Sequence, residues 1–380
     1  MTDQSIGMTE IATEADRTLM RRALELAENG RGKVSPNPVV GAVIARDGEV
    51  IGEGWHARLG EAHAEVAAIA DCRARGNDPA GATMYVSLEP CAHQGRQPPC
   101  TDAILAAGLA RVVIGADDPS EKASGRGPGI LRDEGVEVEF AEGAEAAAAR
   151  LSNQAFRKHA RTGRPLVTFK SAVTLDGFTA TSGGAARWIS GKTSRGRVHR
   201  WRAEHDAVVV GSGTALGDDP ELTVRDVPEP PERQPARIVF DSQARLPVSS
   251  RLVQTLDLAP LIVVCAPGAA GADALRAAGA EVIEVAGEGP RRITAALTEL
   301  GSRGMTSLFL EGGATLAGAF FDAGEIDEIR LFVAPIVLGT GRPVLAGYER
   351  AEIADAERLL SFEWDSSGED LLIRGRLREW

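Results

Sequence analysis

The sequence predicts an α/β protein of two domains, and three observations carry that reading. Short apolar runs of strand length recur along the chain and alternate with helical patterns, the arrangement that builds sheets covered by helices. Glycine is abundant, 43 of 380 residues, as tight turns and close packing require. The texture changes once, at the Ala-rich stretch 141–161, and the two parts on either side do not resemble each other. At about 150 residues per domain the length itself suggests two to three domains. The mix of 43% hydrophobic and 25% charged residues is that of an ordinary globular protein.

Thr13-Glu14-Ala15-Asp16 has the spacing of a capping box. Leu19, Ala23 and Leu26 follow at helical intervals, so a first helix is predicted up to Gly30. Val39 to Ala45, the turn pair Asp47-Gly48 and Glu49 to Gly54 read as a β-hairpin. A helix is predicted from near His63 to Gly76, a strand over Thr83 to Leu88, and a helix over Asp102 to Ala107. Strands follow over Arg111 to Gly115 and Val136 to Phe140. After the Ala-rich helical stretch come strand-like runs at Leu166–Val173, Ala207–Gly211, Arg237–Asp241, Leu261–Cys265, Glu281–Val285, Ser307–Leu310 and Ile329–Ala334. Helical segments between several of them point to a mostly parallel sheet with crossovers. The boundary is placed in the connecting helix, giving domains 1–148 and 149–380.

The longest stretch without a charged side chain runs from Leu258 to Ala272 and contains Pro260 and Pro267. A bilayer span needs about 20 apolar residues, so no membrane span is expected. The opening segment MTDQSIGMTEIATEADR is polar and acidic, so the expectation is a cytoplasmic protein without a signal peptide. A net charge of −12 argues against a general nucleic-acid binder. Four cysteines are too few for a disulfide framework.

Three of the cysteine and histidine positions converge on metal chemistry. His63-Ala64-Glu65 opens a helix, Pro90-Cys91 ends a strand, and Cys100 follows Pro98-Pro99 at the start of the next helix. His, Cys and Cys are sound zinc ligands, and three protein ligands leave a fourth position for water. Zinc lowers the pKa of that water towards 7. Glu65, two residues beyond His63, points elsewhere on a regular helix and suits an acid/base role. The pattern follows the H-x-E…P-C-x-x-C signature of zinc deaminases, except that eight residues, Ala92 to Pro99, separate the cysteines. That insert could offer His93 and Arg96 to an anionic group. The plainer alternatives are a pair of buried cysteines, or a structural zinc with His56 as fourth ligand. Cys72 and Cys265 read as core packing.

The second half has no G-x-G-x-x-G after a first strand. Its best nucleotide signal is Leu308-Phe309-Leu310-Glu311-Gly312-Gly313-Ala314-Thr315-Leu316-Ala317-Gly318, a strand running into a Gly pair and a helix. Such a turn lets backbone approach a phosphate at a helix N-terminus, although a simple tight turn has the same pattern.

The segments Pro36-Asn37-Pro38-Val39-Val40-Gly41, Gly54-Trp55-His56, Gly60 to Glu65, and Leu88 to Cys100 resemble the deaminase part of the bifunctional riboflavin-biosynthesis deaminase–reductase family. Lys170 to Gly177, Arg187-Trp188-Ile189-Ser190, Gly217 to Arg225 and Phe240-Asp241-Ser242 resemble its reductase part, so the likeness runs over about residues 13 to 375. It implies a cytidine-deaminase-like α/β/α sandwich followed by a dihydrofolate-reductase-like α/β domain, with Zn2+ in the first and NADPH in the second. It implies His63, Cys91 and Cys100 as metal ligands and Glu65 as a catalytic residue. Ala172, Trp188, Thr214, Asp218, Ser242, Gly313, Ala314, Thr315, Leu316, Ala317, Gly318 and Ala319 match the family's cofactor positions. Arg202, Leu222, Arg225 and Glu311 match its substrate positions, and two arginines suit a bidentate grip on a 5′-phosphate. Lys170, on a strand facing the cleft, could polarise the substrate; a surface lysine is the alternative. The chain departs from the family at Gln97, where Thr or Ser is usual, and at Ala186, where Ser is usual.

The implied activity is hydrolytic deamination of 2,5-diamino-6-ribosylamino-4(3H)-pyrimidinone 5′-phosphate, then reduction of the product's ribose to ribitol. The implied partners are that small phosphorylated pyrimidine and further copies of the chain, with no nucleic acid or membrane. An editing deaminase fused to an unrelated reductase is the competing enzyme reading; the acidic balance counts against it. A zinc-stabilised binding module is the non-enzymatic one, and Glu65 beside a water-site ligand set counts against that.

Overall fold

The computed structural model describes residues 13–380 apart from Arg96, Lys122, Ser124 and 186–188. The expected contacts at Arg96, Ala186 and Trp188 therefore lie outside the described residues. The chain divides into two compact units, residues 1–161 with Trp380, and 162–379. The boundary expected at 148 falls inside a helix whose Ala146 and Ala149 are buried in the first unit.

The first unit contains α1 (Glu14–Ala27), β1 (Gly41–Arg46), β2 (Glu49–Trp55), α2 (Ala64–Ala74), β3 (Thr83–Val86), α3 (Cys100–Ala106), β4 (Arg111–Ile114), α4 (Arg126–Asp133), β5 (Glu137–Phe140), α5 (Gly143–Ser152) and most of α6 (Gln154–Thr162). Thr13 caps α1 with a complete capping box, as its spacing predicts. The sheet order is β2-β1-β3-β4-β5, with β1 antiparallel to both β2 and β3, and β3, β4 and β5 parallel. Leu19, Met20 and Ala23 of α1 cover one face with Val43, Tyr85 and Val113. Ala68, Ile69, Ile104 and Leu131 of α2, α3 and α4 cover the other with Ile44, Met84 and Val112. Sheet strands alternate their side chains between these layers, which makes the α/β/α sandwich. Gly52 and Gly54 let α2 lie directly on β2: a β-carbon at Gly54 would stand 2.3 Å from the Ala68 backbone nitrogen. That close seat sets the start of α2, where His63 and Glu65 lie.

The second unit contains β6 (Leu166–Thr174), β7 (Phe178–Thr181), α7 (Lys192–Glu204), β8 (Ala207–Gly211), α8 (Ser212–Asp218), β9 (Ala236–Phe240), α9 (Arg251–Gln254), β10 (Leu261–Cys265), α10 (Ala272–Ala277), β11 (Glu281–Glu284), α11 (Gly289–Ser302), β12 (Ser307–Leu310), α12 (Ala314–Asp322), β13 (Glu328–Ala334), β14 (Gly341–Pro343), β15 (Ser361–Ser367) and β16 (Asp370–Arg376). Nine strands form one sheet in the order β11-β10-β9-β8-β12-β6-β13-β16-β15, and β14 pairs with β7. The seven strands from β11 to β13 along that row are parallel, and only β16 is reversed, pairing antiparallel with both β13 and β15. β9 and β10 are buried along their whole length, as strands covered on both faces must be. α11 and α12 pack on one face and α8, α9 and α10 on the other.

The seven strand runs expected in this half are all present. The hairpin β15–β16 and the pair β7–β14 were not expected. β15 reads SFEWDSS and is exposed over most of its length, so it lacks the alternation that marks a half-buried strand.

Candidate active sites

In the first unit, three elements bring the metal-ligating side chains together. His63 is the extended N-cap residue of α2, Cys91 lies beyond β3, and Cys100 is the first residue of α3. Their ligand atoms all lie within 4.8 Å of one another. His63 Nδ1 is 3.2 Å from Cys100 Sγ and 3.6 Å from Cys91 Sγ. A tetrahedral zinc with bonds of about 2.0 and 2.3 Å to N and S separates such ligands by roughly 3.6 Å, so the donor set fits that ion. Two thiols and an imidazole are also the chemistry zinc prefers.

His56 is not a fourth ligand. Its Nδ1 faces Ala62 O at 3.1 Å and its Nε2 faces the Asn37 amide at 3.2 Å. Both ring nitrogens are thus spent on holding the segment that leads into His63. Among the described residues three groups make up the cluster, which leaves a position open for water. The structural-zinc alternative loses its extra ligand here.

Glu65 sits in the first turn of α2 and is 3% exposed. Burial, helped by the neighbouring Cys91 charge, pushes its carboxyl up to about 7. The hydrogen bond with Cys100 holds the Cys91 thiol down, to about 4, and the same bond pushes Cys100 up. A thiolate is therefore favoured where a metal ligand is wanted.

The inter-cysteine segment carries His93 exposed to solvent, and Gln97 Nε2 donates to Gly60 O at 3.3 Å. Gln97 thus ties this segment to the one before His63. Glu89, one residue before Pro90, accepts from the Gly125 backbone N–H at 2.8 Å and from that of Asp118 at 3.4 Å. Sequence reasoning assigned no role to Glu89; only its place next to Pro90-Cys91 could have signalled one. Cys72 and Cys265 are fully buried in the cores.

The second site gathers at the row β8-β12-β6. Glu311 follows β12, and its backbone N–H donates to Val209 O of β8 at 2.9 Å. Arg202 of α7 grips the Glu311 carboxylate through Nε at 2.5 Å and Nη2 at 3.1 Å, and its Nη1 donates to Thr223 O at 3.0 Å. Lys170 Nζ of β6 stands 3.9 Å from Glu311 Oε2. Burial raises the Glu311 carboxyl, but the Arg202 and Lys170 charges outweigh it and hold it below its ordinary range. Burial lowers the Lys170 ammonium against the pull of Glu311.

Arg225 is exposed, and among the described residues its guanidinium has no hydrogen-bond partner. Its backbone N–H meets His199 Nδ1 at 3.3 Å, which places it beside α7. Leu222 has φ +57°, and its side chain is buried in the core, so only its backbone is available to a ligand.

The glycine pair forms the expected strand-to-helix turn. A β-carbon at Gly312 would meet Leu316 Cδ2 at 3.0 Å, and one at Gly313 would meet Thr214 Oγ1 at 3.5 Å. Gly313 is the N-cap of α12, and no side chain caps that helix. The N–H groups of Ala314, Thr315 and Leu316 thus stand at a bare helix start, which suits a pyrophosphate. Ala317 is fully buried, Gly318 admits Ala346 O where a β-carbon would lie at 2.0 Å, and Ala319 packs on the core. Ala172 is half-buried on β6, Asp218 is exposed at the end of α8, and Ser242 is exposed after β9.

α8 and α12 leave neighbouring strands for opposite faces of the sheet, so β8 and β12 flank a topological switch point. In open α/β sheets ligands bind at such crevices.

Residues 13–116 match the cytidine and deoxycytidylate deaminase zinc-binding region, and residues 165–372 match the RibD C-terminal domain. The chain is 39% identical over 360 residues to the riboflavin biosynthesis protein RibD of Aquifex aeolicus, covering 95% of this chain and 98% of that one. It is 38% identical over 371 residues to that of Escherichia coli, covering 94% and 98%. Its structure is similar to that of Acinetobacter baumannii RibD, with a TM-score of 0.84 at 34% identity, covering 96% and 99%. It is also similar to a diaminohydroxyphosphoribosylaminopyrimidine deaminase/5-amino-6-(5-phosphoribosylamino)uracil reductase of Thermotoga maritima, with a TM-score of 0.83 at 34% identity, covering 95% and 98%. With a His–Cys–Cys cluster beside a buried glutamate in one unit and a glycine turn beside a buried charge cluster in the other, the chain belongs to the RibD family of bifunctional deaminase–reductases of riboflavin biosynthesis.

Proposed function

We propose that the first unit deaminates 2,5-diamino-6-ribosylamino-4(3H)-pyrimidinone 5′-phosphate and that the second reduces the ribose of the deaminated product with NADPH. The observation that carries the first half is the His63–Cys91–Cys100 cluster with buried Glu65 beside it. His63, Cys91 and Cys100 would hold a zinc, which would supply an acidified water as nucleophile. Glu65 takes a proton from that water and delivers it to the ring nitrogen. It then carries the second proton to the amino group, which leaves as ammonia as the C–N bond breaks and the carbonyl forms. Its burial suits this shuttle, because a carboxyl near neutrality both accepts and donates.

For the reduction, the N-terminus of α12 and residues 313–316 hold the cofactor pyrophosphate, with Thr214 facing Gly313. Ala172, Asp218 and Ser242 complete the cofactor contacts. Bound there, NADPH would supply the hydride that the reduction at C1′ of the opened ribosylamine needs. Lys170 supplies the proton that frees the ring oxygen, and Glu311, fixed by Arg202, keeps Lys170 oriented. Arg225 holds the 5′-phosphate, with Arg202 and the Leu222 backbone lining the same pocket.

The reading extends to a cytoplasmic protein that acts on a small phosphorylated pyrimidine and binds neither nucleic acid nor membrane. Among the described residues no helix is long and apolar enough to cross a membrane, and the net charge is −12. It also includes self-association, since edge strand β15 leaves Phe362 62% and Trp364 67% exposed. Incubating the protein with the diaminopyrimidine phosphate, with and without NADPH, tests the scheme. Ammonia should form in both samples, and NADPH absorbance should fall only as ammonia is released. NADPH oxidation without ammonia, or no ammonia at all, would sink it.

A further inference from the structure

The segment 219–226, which carries Leu222 and Arg225, holds three non-glycine residues in the left-handed region: Asp219 at φ +40°, Leu222 at +57° and Asp226 at +57°. Such backbone persists only where its surroundings hold it, and it gathers at ligand clamps. Here the holding groups come from several elements. Buried Arg202 of α7 donates Nη1 to Thr223 O at 3.0 Å. Gln234 brackets Val224: its Oε1 accepts the Val224 N–H at 2.7 Å, and its Nε2 donates to Val224 O at 3.0 Å. The Arg225 N–H donates to His199 Nδ1 at 3.3 Å. His199 thus touches the backbone of the residue that is read as the phosphate ligand.

His199 lies on α7 three positions before Arg202, so the two share one face of the helix. Burial and the Arg202 and Arg225 charges hold its imidazolium below the ordinary range, against the pull of Glu311 and Asp226, so the neutral ring is favoured. In a neutral imidazole the nitrogen that accepts carries no proton, which puts the proton on Nε2. Among the described residues Nε2 has no hydrogen-bond partner, and neither has the Arg225 guanidinium. One rigid ring therefore offers an acceptor to the loop and a free donor to whatever the loop binds. We propose that His199 is a further binding residue for the reductase substrate: its Nδ1 fixes the Arg225 backbone, and its Nε2–H bonds to the 5′-phosphate next to the Arg225 guanidinium. The proposal rests on the reading that Arg225 holds that phosphate. A phosphate oxygen accepts from the ring in a charge-assisted bond, and a ring fixed beforehand loses little freedom on binding.

The test compares kcat/KM of NADPH oxidation by the full chain for the pre-deaminated substrate and for the same compound without its 5′-phosphate. An asparagine places its amide oxygen where Nδ1 stands but reaches no further. His199→Asn should therefore keep Arg225 in place and lose the phosphate bond. Its preference for the phosphorylated compound should fall by about 10- to 100-fold, with kcat/KM for the phosphate-free one within about threefold of wild type. His199→Ala, which also frees the Arg225 backbone, should lower the preference further. An unchanged preference in both variants overturns the proposal. So does a parallel fall for both compounds, which a purely structural residue would give. Equal loss of preference in the two variants overturns the role of Nδ1. Arg225→Ala tells this proposal from the reading beneath it. If that variant too keeps the wild-type preference, the phosphate lies elsewhere and the reading fails. If it loses the preference while both His199 variants keep it, only the role of His199 fails.

Discussion

Replacing Arg225 and Arg202 by alanine, one at a time, separates two roles that a sequence motif cannot distinguish. Arg225 is exposed with its guanidinium unengaged among the described residues, so its removal leaves no buried group behind. Surface substitutions of this kind stay within about 0.5 kcal/mol of wild-type stability. What it loses is the proposed bond to the 5′-phosphate, worth about 1.5–3 kcal/mol when charge-assisted. At 1.4 kcal/mol per factor of ten, the reductase KM should rise by about 10- to 150-fold. Arg202 differs, because its side chain is 10% exposed and so is its Glu311 partner. Arg202→Ala leaves the buried Glu311 carboxylate with only Lys170 Nζ, at 3.9 Å, and breaking such a buried pair costs about 3–5 kcal/mol. For a unit of this size each kcal/mol lowers the melting temperature by about 2–4 °C, so the expected loss is about 6 to 20 °C. Steady-state NADPH oxidation with the pre-deaminated substrate gives the first quantity and thermal unfolding the second. An Arg225→Ala enzyme with wild-type KM would show that the phosphate lies elsewhere. An Arg202→Ala protein that melts at the wild-type temperature would show that the Glu311 pair contributes no stability. In both variants deamination should continue, because its residues belong to the other unit.

Glu65→Gln should retain zinc and fold while deamination falls by at least about 10²–10⁴-fold, measured as ammonia release; activity within tenfold of wild type would hand the proton transfers to another group. Chelation of the zinc should abolish ammonia release yet leave NADPH oxidation on pre-deaminated substrate intact, and active protein without transition metal by elemental analysis would defeat the water-activation argument. Asp16→Asn should destabilise the first unit at neutral pH. Burial raises the Asp16 carboxyl, but bonds from Arg111, Tyr85 and Thr13 outweigh it and hold the group below its ordinary range. A depressed carboxyl contributes stability above its unfolded pKa of about 3.9 and loses it as pH falls through the folded value. The gap between wild type and Asp16→Asn should therefore narrow below about pH 4, and a gap that widens in acid would reverse the assignment.

The zinc site was legible because its geometry is local. A histidine at a helix start, a cysteine after a strand and a cysteine at the next helix start need only their own elements to point inward, and the sequence shows those elements. The second site is another matter. Glu311 and Arg202 are 109 positions apart, and no periodicity pairs them. The motif resemblance placed both against the substrate, yet much of the donor capacity of Arg202 is turned on Glu311 and on Thr223. The same limit hid the hairpin β15–β16, whose exposed residues carry no burial pattern. It also displaced the domain boundary, since Ala-rich α5 looks like a linker until its buried side chains are known. What builds the Arg202–Glu311–Lys170 cluster is strand order. β12 enters the sheet between β6 and β8 although it follows both by more than ninety residues in the chain. That insertion sets Glu311 at the end of a strand bonded to β6, which carries Lys170, and to β8, which α7 and Arg202 precede. In a sheet ordered as the chain runs, β6 would pair with β8 instead, and the carboxylate would stand at the far edge with neither cation near it.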